Sequence, residues 1–526
     1  MPAFLVLLAS VLIAGGGFAF VGNASKEQAA CEGNLAVTVA AAPEIAPLLG
    51  EATRHLESAD TAVAGTCVDY DVSAVSPERV EEVATTEPEK APDLWVPDFS
   101  VWATRAALSG VTPATLSESL ATSPVVVVGP DATAPSSWQE VGMSTVAYLD
   151  PLTSSASTAA LLSAFGEMAV TGISRTEMGA MMVPLAQRYG AQPDKPTTVE
   201  DVAALAEDGA LGVMTEQQLV RLQGSGRARG LTANVPESGT MFLDHPLVAL
   251  SLDEDVREAG RRLGAYLDGD HGVELRAAHG FRGPERSALA SGDGLGKGKV
   301  PSLPLPEAQE VAGAMRQWAV LTVPSRSLVV VDVSGSMDFT DDSGRTRISL
   351  AVSAAESALE LFPDNAQIGL WAFSVNLGGG NRDYTQLAPV RPLLAEPGGV
   401  SQRQVLGQAL RRLPGMTNGG TGLYDTTLAA VRTLQDGYDA RSINTVILLT
   451  DGENEDPGSL SLKELVSTLE RERDPARPIQ VIAVGMGPEA DVRALKRIAG
   501  STGGRSYVAR DPADISEVFI DAMLSR

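Results

Sequence analysis

Three oxygen-bearing side chains alternate at the end of an apolar run, Ser327-Leu-Val-Val-Val-Asp332-Val-Ser334-Gly-Ser336-Met337. Alternate spacing in a loop turns Asp332, Ser334 and Ser336 toward one point, and Gly335 lets the backbone bend between them. Hydroxyl and carboxylate oxygens are the donors a hard divalent cation takes, and the imidazoles that tune a hydrolytic Zn2+ are missing from the set. Two later segments add donors of the same kind: Gly419-Gly420-Thr421-Gly422-Leu423-Tyr424-Asp425, and the apolar stretch from Asn444 that ends in Thr450-Asp451-Gly452. Signs of catalysis are sparse. There is no G-x-S-x-G elbow and no H-E-x-x-H, and the four histidines (His55, His245, His271, His279) are scattered without a partner pattern. The Gly296-Lys297 pair is not a phosphate loop, because Gly298 stands where a Ser or Thr must hold Mg2+.

The elements that must position these donors are legible from patterning. Residues 327–332 read as a buried strand breaking into a tight loop, with helix-forming residues resuming at Arg347 to Leu361. Further strands are expected at 367–373 and 479–484, an edge strand at 505–508, and helices at 402–413, 423–436, 461–473, 489–499 and 514–524. Strands alternating with helices make an open α/β sheet, and such sheets place their sites at the carboxyl ends of strands. The glycine-rich stretch Asn376 to Asp383 predicts a hairpin near the same face. Asp338, Asp341 and Asp342 make the loop after the first donors acidic, which reads as solvated charge, with a second ion as the alternative.

The chain has 526 residues, too many for one ordinary core, and about three units are expected at roughly 150 residues each. With 40 basic and 66 acidic residues, the formal charge of -26 repels polyphosphate, so nucleic acid is a poor partner. From Pro2 to Gly22 no charge appears before Lys26, which predicts a signal peptide or membrane anchor over residues 1–24, although no Lys or Arg precedes the run to orient it. Cys31 and Cys67 each precede an apolar stretch. An even cysteine count downstream of a targeting segment favours a disulfide between them, with two buried thiols as the alternative. These features place the chain at the extracytoplasmic face of the cell membrane or outside the cell.

Residues 33–292 repeat the β/α alternation, which reads as a parallel sheet. A strand at 35–39 leads into a helix through His55, and the strand Asp93 to Asp98 is followed by the buried run Pro124-Val-Val-Val-Val128. Thr153-Ser154-Ser155 opens a helix whose free N–H groups suit an anion or carbonyl as well as an ordinary cap. Residues 293–306, rich in Gly and Pro, read as a linker, and the helix after Glu307 is expected to pack at the base of the next unit.

The donors D-x-S-x-S, then T, then D, occur in the order found in von Willebrand factor A domains, which residues 307–526 resemble. The resemblance implies a Rossmann-like domain whose central, mostly parallel sheet is flanked by helices, with a metal-ion-dependent adhesion site. Ser334 and Ser336 would then bind the ion directly, Thr421 directly in one state, and Asp332 and Asp451 directly or through water. Mg2+ is the implied ion, with Ca2+ or Mn2+ as alternatives, and an Asp or Glu of a protein partner would fill the open position. The strand-helix opening, the W-x-P-D strand, the S-P-V-V-V-V strand and the closing Gly280-Phe281-Arg282 resemble bacterial extracellular solute-binding proteins of ABC importers. That implies a periplasmic-binding-protein-like, two-lobed α/β domain with a cleft lined by Ala42, Asp98, Ser123, Ser154, Ser155 and Thr215, suited to a small polar solute. Together the resemblances predict an extracytoplasmic adhesion or scaffolding protein rather than an enzyme. The alternative is a solute receptor of a transport or sensing system.

Overall fold

The computed structural model describes residues 31–509 apart from 32, 59–61, 131–134, 172–181, 183–184, 290, 292, 297–298, 341–343, 397 and 488–489. The N-terminal apolar segment, Lys297, Asp341, Asp342 and the helix expected at 514–524 lie outside the described residues. Among those described, no helix is long and apolar enough to cross a membrane.

The strands of the N-terminal unit are β1 (Asn34–Ala41), β2 (Ala62–Val63), β3 (Thr66–Ala74), β4 (Leu94–Val96), β5 (Ala114–Ser117), β6 (Ser123–Gly129), β7 (Val146–Ala147), β8 (Leu211–Thr215), β9 (Thr232–Asn234), β10 (Phe242–Leu243) and β11 (Leu247–Ala249). They form two sheets, ordered β2-β3-β1-β4-β11-β5 and β10-β6-β8-β7, with β9 also on β6. The first has the expected parallel core, β3-β1-β4, with antiparallel β11 and β5 beyond it. The second departs from a parallel sheet, because β6 runs antiparallel to β8, β9 and β10. All seven residues of β6 are buried, so its apolar run carries no mark of strand direction. Pairing of β1 with β3 sets Asn34 opposite Cys67, and a disulfide joins Cys31 to Cys67.

The linker is fastened to the second lobe. Thr240 donates its N–H to Pro301 and accepts the Leu303 N–H, and the Leu295 N–H reaches the Glu216 carboxylate at 2.9 Å. The next helix, Ala308–Leu321, packs on the N-terminal unit and not at the base of the C-terminal one as expected. Its Trp318 is fully buried, with ring centroids 6.0 Å from Tyr148 and 5.7 Å from Tyr189, and Gln187 donates to the Leu321 carbonyl. Large flat aromatic faces dominate such contacts, and they outweigh the helix's nearness in sequence to the following strand.

In the C-terminal unit β12 (Ser325–Asp332), β13 (Gln367–Phe373), β14 (Tyr384–Pro392), β15 (Ile443–Thr450), β16 (Ile479–Met486) and β17 (Ser506–Ala509) build one sheet, ordered β14-β13-β12-β15-β16-β17. Every pair is parallel except the edge hairpin of β13 with β14. Helices cover both faces, among them Arg347–Leu361 and Gln402–Leu410 on one side and Leu423–Asp436 and Val492–Ser501 on the other. Their apolar stripes meet sheet residues such as Val330, Phe373 and Leu448, and this two-faced burial holds the carboxyl ends of β12 and β15 side by side.

Candidate functional site

Asp332 ends β12, and the chain leaves the sheet through Ser334 into a short turn over Gly335–Asp338. One Asp332 oxygen accepts the Ser334 N–H at 2.8 Å and the other the Thr450 hydroxyl at 2.5 Å. The Ser334 and Ser336 hydroxyls lie 3.2 Å apart, and Ser336 donates to Asp451 Oδ1 at 2.7 Å. Asp451 Oδ2 is held by Arg347, also at 2.7 Å, so the carboxylate turns its other oxygen to the serines.

Backbone bonds stitch the three loops together. The Gly335 N–H donates to Gly419, whose φ of +76° is a conformation glycine adopts freely, and the Asn418 N–H donates to Val333. Thr421 exchanges bonds with Glu455, accepting its N–H at 2.8 Å and donating its own to the carboxylate at 3.2 Å. Thr421 is buried, and its hydroxyl lies so near Gly452 that a Cβ there would stand 3.1 Å away. All five sequence-predicted donors therefore meet at one end of the sheet. Ser336, Thr421 and Asp451 open into a groove walled by Phe339, Arg347 and Arg497.

Asp332 is wholly buried. Loss of hydration raises its pKa from 3.8 to about 7, against the lowering pull of its bonds from Thr450 and Ser334, and the Asp451 charge adds to the rise. An unpaired carboxylate there is costly, and a cation beside it would remove the cost.

The six cleft residues are brought together only in part. Ser155 donates to Asp98 at 2.6 Å and accepts from the Trp102 indole at 2.7 Å, joining the helix Ser155–Thr171 to the end of β4. Ser123 accepts the Gln217 N–H at 3.0 Å, while Thr215 closes a reciprocal cap with Gln218 on the helix Glu216–Gly224. Gln218 also reaches Glu44, just past Ala42, at 3.2 Å, so the two lobes touch through side chains. Ser154 accepts a long bond from the Ser157 N–H at 3.4 Å, the arrangement of a helix cap. Enclosure raises the Asp98 carboxyl to about 7, helped by the Glu44 and Asp244 charges and opposed by the Ser155 bond.

Comparison with known proteins decides the family question. The von Willebrand factor type A domain model matches residues 328–520, and that of the bacterial extracellular solute-binding protein matches residues 37–282. The chain carries a solute-binding-protein-like domain followed by a von Willebrand factor A domain. It is 25% identical over 561 residues to an uncharacterized protein of Mycobacterium tuberculosis (strain ATCC 25618 / H37Rv), covering 96% of this chain and 79% of that one. A solved von Willebrand factor type A protein from Catenulispora acidiphila is 24% identical, covering 38% of this chain and 42% of that one, with a TM-score of 0.30. This chain thus spans less than half of that protein. An ABC transporter structure from Clostridium perfringens ATCC 13124 is 13% identical, covers 54% and 98%, and has a TM-score of 0.41.

In the von Willebrand factor A domain the donor set fits a small hard cation. Adjacent ligands around Mg2+ stand about 2.9 Å apart when each is roughly 2.1 Å from the ion. The serine-serine and serine-aspartate separations of 3.2 and 2.7 Å bracket that edge. Arg347 was not anticipated from the sequence, since its partner Asp451 lies 104 residues on. In the solute-binding domain Glu44 and Asp244 were likewise missed, as was the buried pair of Arg282 with Glu216 at 2.5 Å. The Gly-Phe-Arg motif carried a signal for that pair, because a fully buried arginine needs an acidic partner.

Proposed function

We propose that the von Willebrand factor A domain binds Mg2+ through Asp332, Ser334, Ser336, Thr421 and Asp451 and grips an acidic side chain of a protein partner. Both domains are of binding type, and the solute-binding family supports an extracytoplasmic setting. The observation carrying the proposal is the convergence of oxygen donors from three loops at the mouth of a groove. When bound, Mg2+ supplies a coordination position to a carboxylate from outside the chain. The chain's own residues set that position: Thr450 and the Ser334 N–H fix Asp332, and Arg347 fixes Asp451. The solute-binding domain then serves as a second recognition head at the cell surface.

Calorimetric titration of the full chain with Mg2+ tests the site. Binding that is lost in Ser336→Ala and Asp332→Asn supports it, and unchanged binding in either rejects it. Partner capture follows: proteins held by the immobilised chain in Mg2+ should be released by EDTA and absent on the Ser336→Ala chain. Retention in EDTA would reject the metal-dependent grip.

A second reading, a solute receptor, rests on the acidic cleft. Asp98, Glu44 and Asp244 raise the potential cost of an anion there and favour a cationic or neutral polar solute. A thermal shift by spermidine that is lost in Asp98→Asn would support it, and stabilisation by sulfate instead would reject it.

A further inference from the structure

A second group of carboxylates lies beside the first site and is independent of its donors. Asp383 comes from the β13–β14 hairpin, Asp425 from the first turn of the helix Leu423–Asp436, and Asp456 from the loop after β15. Each offers a carboxylate oxygen, and the three lie within 4.8 Å of one another. Each is also pinned through Oδ1 by a backbone N–H from its surroundings. Asn376 donates to Asp383 at 2.8 Å, Leu460 to Asp425 at 3.1 Å, and Gly458 to Asp456 at 2.8 Å.

Asp383 supplies the second, separate observation. Its side chain is 4% exposed, and its Oδ2 is buried without a hydrogen-bond partner. That oxygen lies against Gly422, where a Cβ would come within 2.5 Å, so a side chain there would collide with the carboxylate. What faces Asp383 is more negative charge, from Asp456 and Asp425. Burial raises its carboxyl above the ordinary range, the Asn376 N–H bond opposes the rise, and the charges of Asp456 and Asp425 add to it. A buried carboxylate oxygen that faces two further carboxylates calls for a positive partner.

We infer that Asp383, Asp425 and Asp456 bind a divalent cation of the calcium class. The donor set points to the class of ion: Ca2+ takes about six to eight oxygens in tolerant geometry and accepts several carboxylates, whereas Mg2+ keeps several waters and is usually held by one or two. Three carboxylates from three loops suit the larger, more tolerant ion. The bound ion ties the hairpin to the segments that carry Thr421 and Asp451.

The test is calcium binding by the full chain, followed by calorimetry and Tb3+ luminescence, with the first site disabled by Ser336→Ala. Asp425→Asn with Asp456→Asn keeps an acceptor oxygen for Leu460 and Gly458 while removing two charges, so folding is preserved. In the Ser336→Ala background, Ca2+ should still bind, and adding the two Asn substitutions should weaken it by roughly tenfold or more. In the reciprocal arm, Asp425→Asn/Asp456→Asn without Ser336→Ala should retain Mg2+ binding at the first site. Calcium binding unchanged by the Asn substitutions, or absent from Ser336→Ala chain whose circular dichroism is native, overturns the inference. Loss of Mg2+ binding in Ser336→Ala bears only on the adhesion site, so the two proposals fail separately.

Discussion

Without metal, the folded chain should lose stability as pH rises, and Asp332 is the reason. Folded, this carboxyl holds its proton up to about pH 7, whereas its ordinary pKa is 3.8. Between those values folding takes up a proton, so stability falls by about 1.4 kcal/mol per pH unit as pH rises. The shift of about 3 units makes a total of about 4 kcal/mol, fully lost above pH 7 and fully regained near pH 4. The perturbation is Asp332→Asn, which is neutral throughout and keeps partners for both the Ser334 N–H and the Thr450 hydroxyl. In EDTA the variant should be more stable than the wild type by about 1.5 kcal/mol at pH 5, rising to about 4 kcal/mol at pH 8. For a domain of this size that is a melting difference of about 10 °C. Mg2+ should restore the wild type at pH 8 and leave the variant unmoved, because ion binding needs the ionised carboxylate. Its apparent affinity should drop roughly tenfold per unit below pH 7. Thermal melts at the two pH values, with EDTA or Mg2+, read all of this. Wild type and variant tracking each other across pH in EDTA, or a Mg2+ shift as large at pH 5 as at pH 8, would refute the reasoning.

Replacing Cys31 and Cys67 with serine opens a loop with a sequence separation of 36 and should cost about 4 kcal/mol in denaturant unfolding, matched by wild type under reductant. Trp318→Ala removes the buried ring between Tyr148 and Tyr189 and should cost about 3–5 kcal/mol, with faster proteolysis across 304–324; a change below about 1 kcal/mol would sink the docked-helix account. Arg282→Met strands the buried Glu216 carboxylate and should cost about 3–5 kcal/mol, most of it recovered in Arg282→Met/Glu216→Gln, as urea unfolding will measure.

The candidate adhesion site was legible because its donors sit where local patterning points. Asp332 and Asp451 follow long apolar strands, and Thr421 precedes a clear helix start, so the end of a parallel sheet follows from β12 and β15 alone. The two-lobed architecture was legible as alternation, but strand direction in the second lobe was not. A fully buried strand such as β6 shows no periodicity to distinguish its neighbours. The helix Ala308–Leu321 failed for a related reason: its buried stripe fits either unit, and the aromatic partners that decide lie 170 and 129 residues back, at Tyr148 and Tyr189.

The acidic residues show most plainly where reading the sequence stops. Asp98, Asp332 and Asp383 each stand at or next to the end of a strand, and burial raises all three. Their neighbours separate them. Asp332 meets hydroxyl and backbone donors, which fix a geometry a small ion can share with Ser334 and Ser336. Asp98 meets one serine and the charges of Glu44 and Asp244, which leaves a protonatable group between two lobes. Asp383 meets two more carboxylates and keeps one buried oxygen unpartnered. For Asp98 and Asp383 the nearest of these carboxylate neighbours, Asp425, is 42 residues away and the farthest, Asp244, is 146. Chemistry set by such distant partners leaves no trace in local spacing, and it emerges only once the sheets and their loops are assembled.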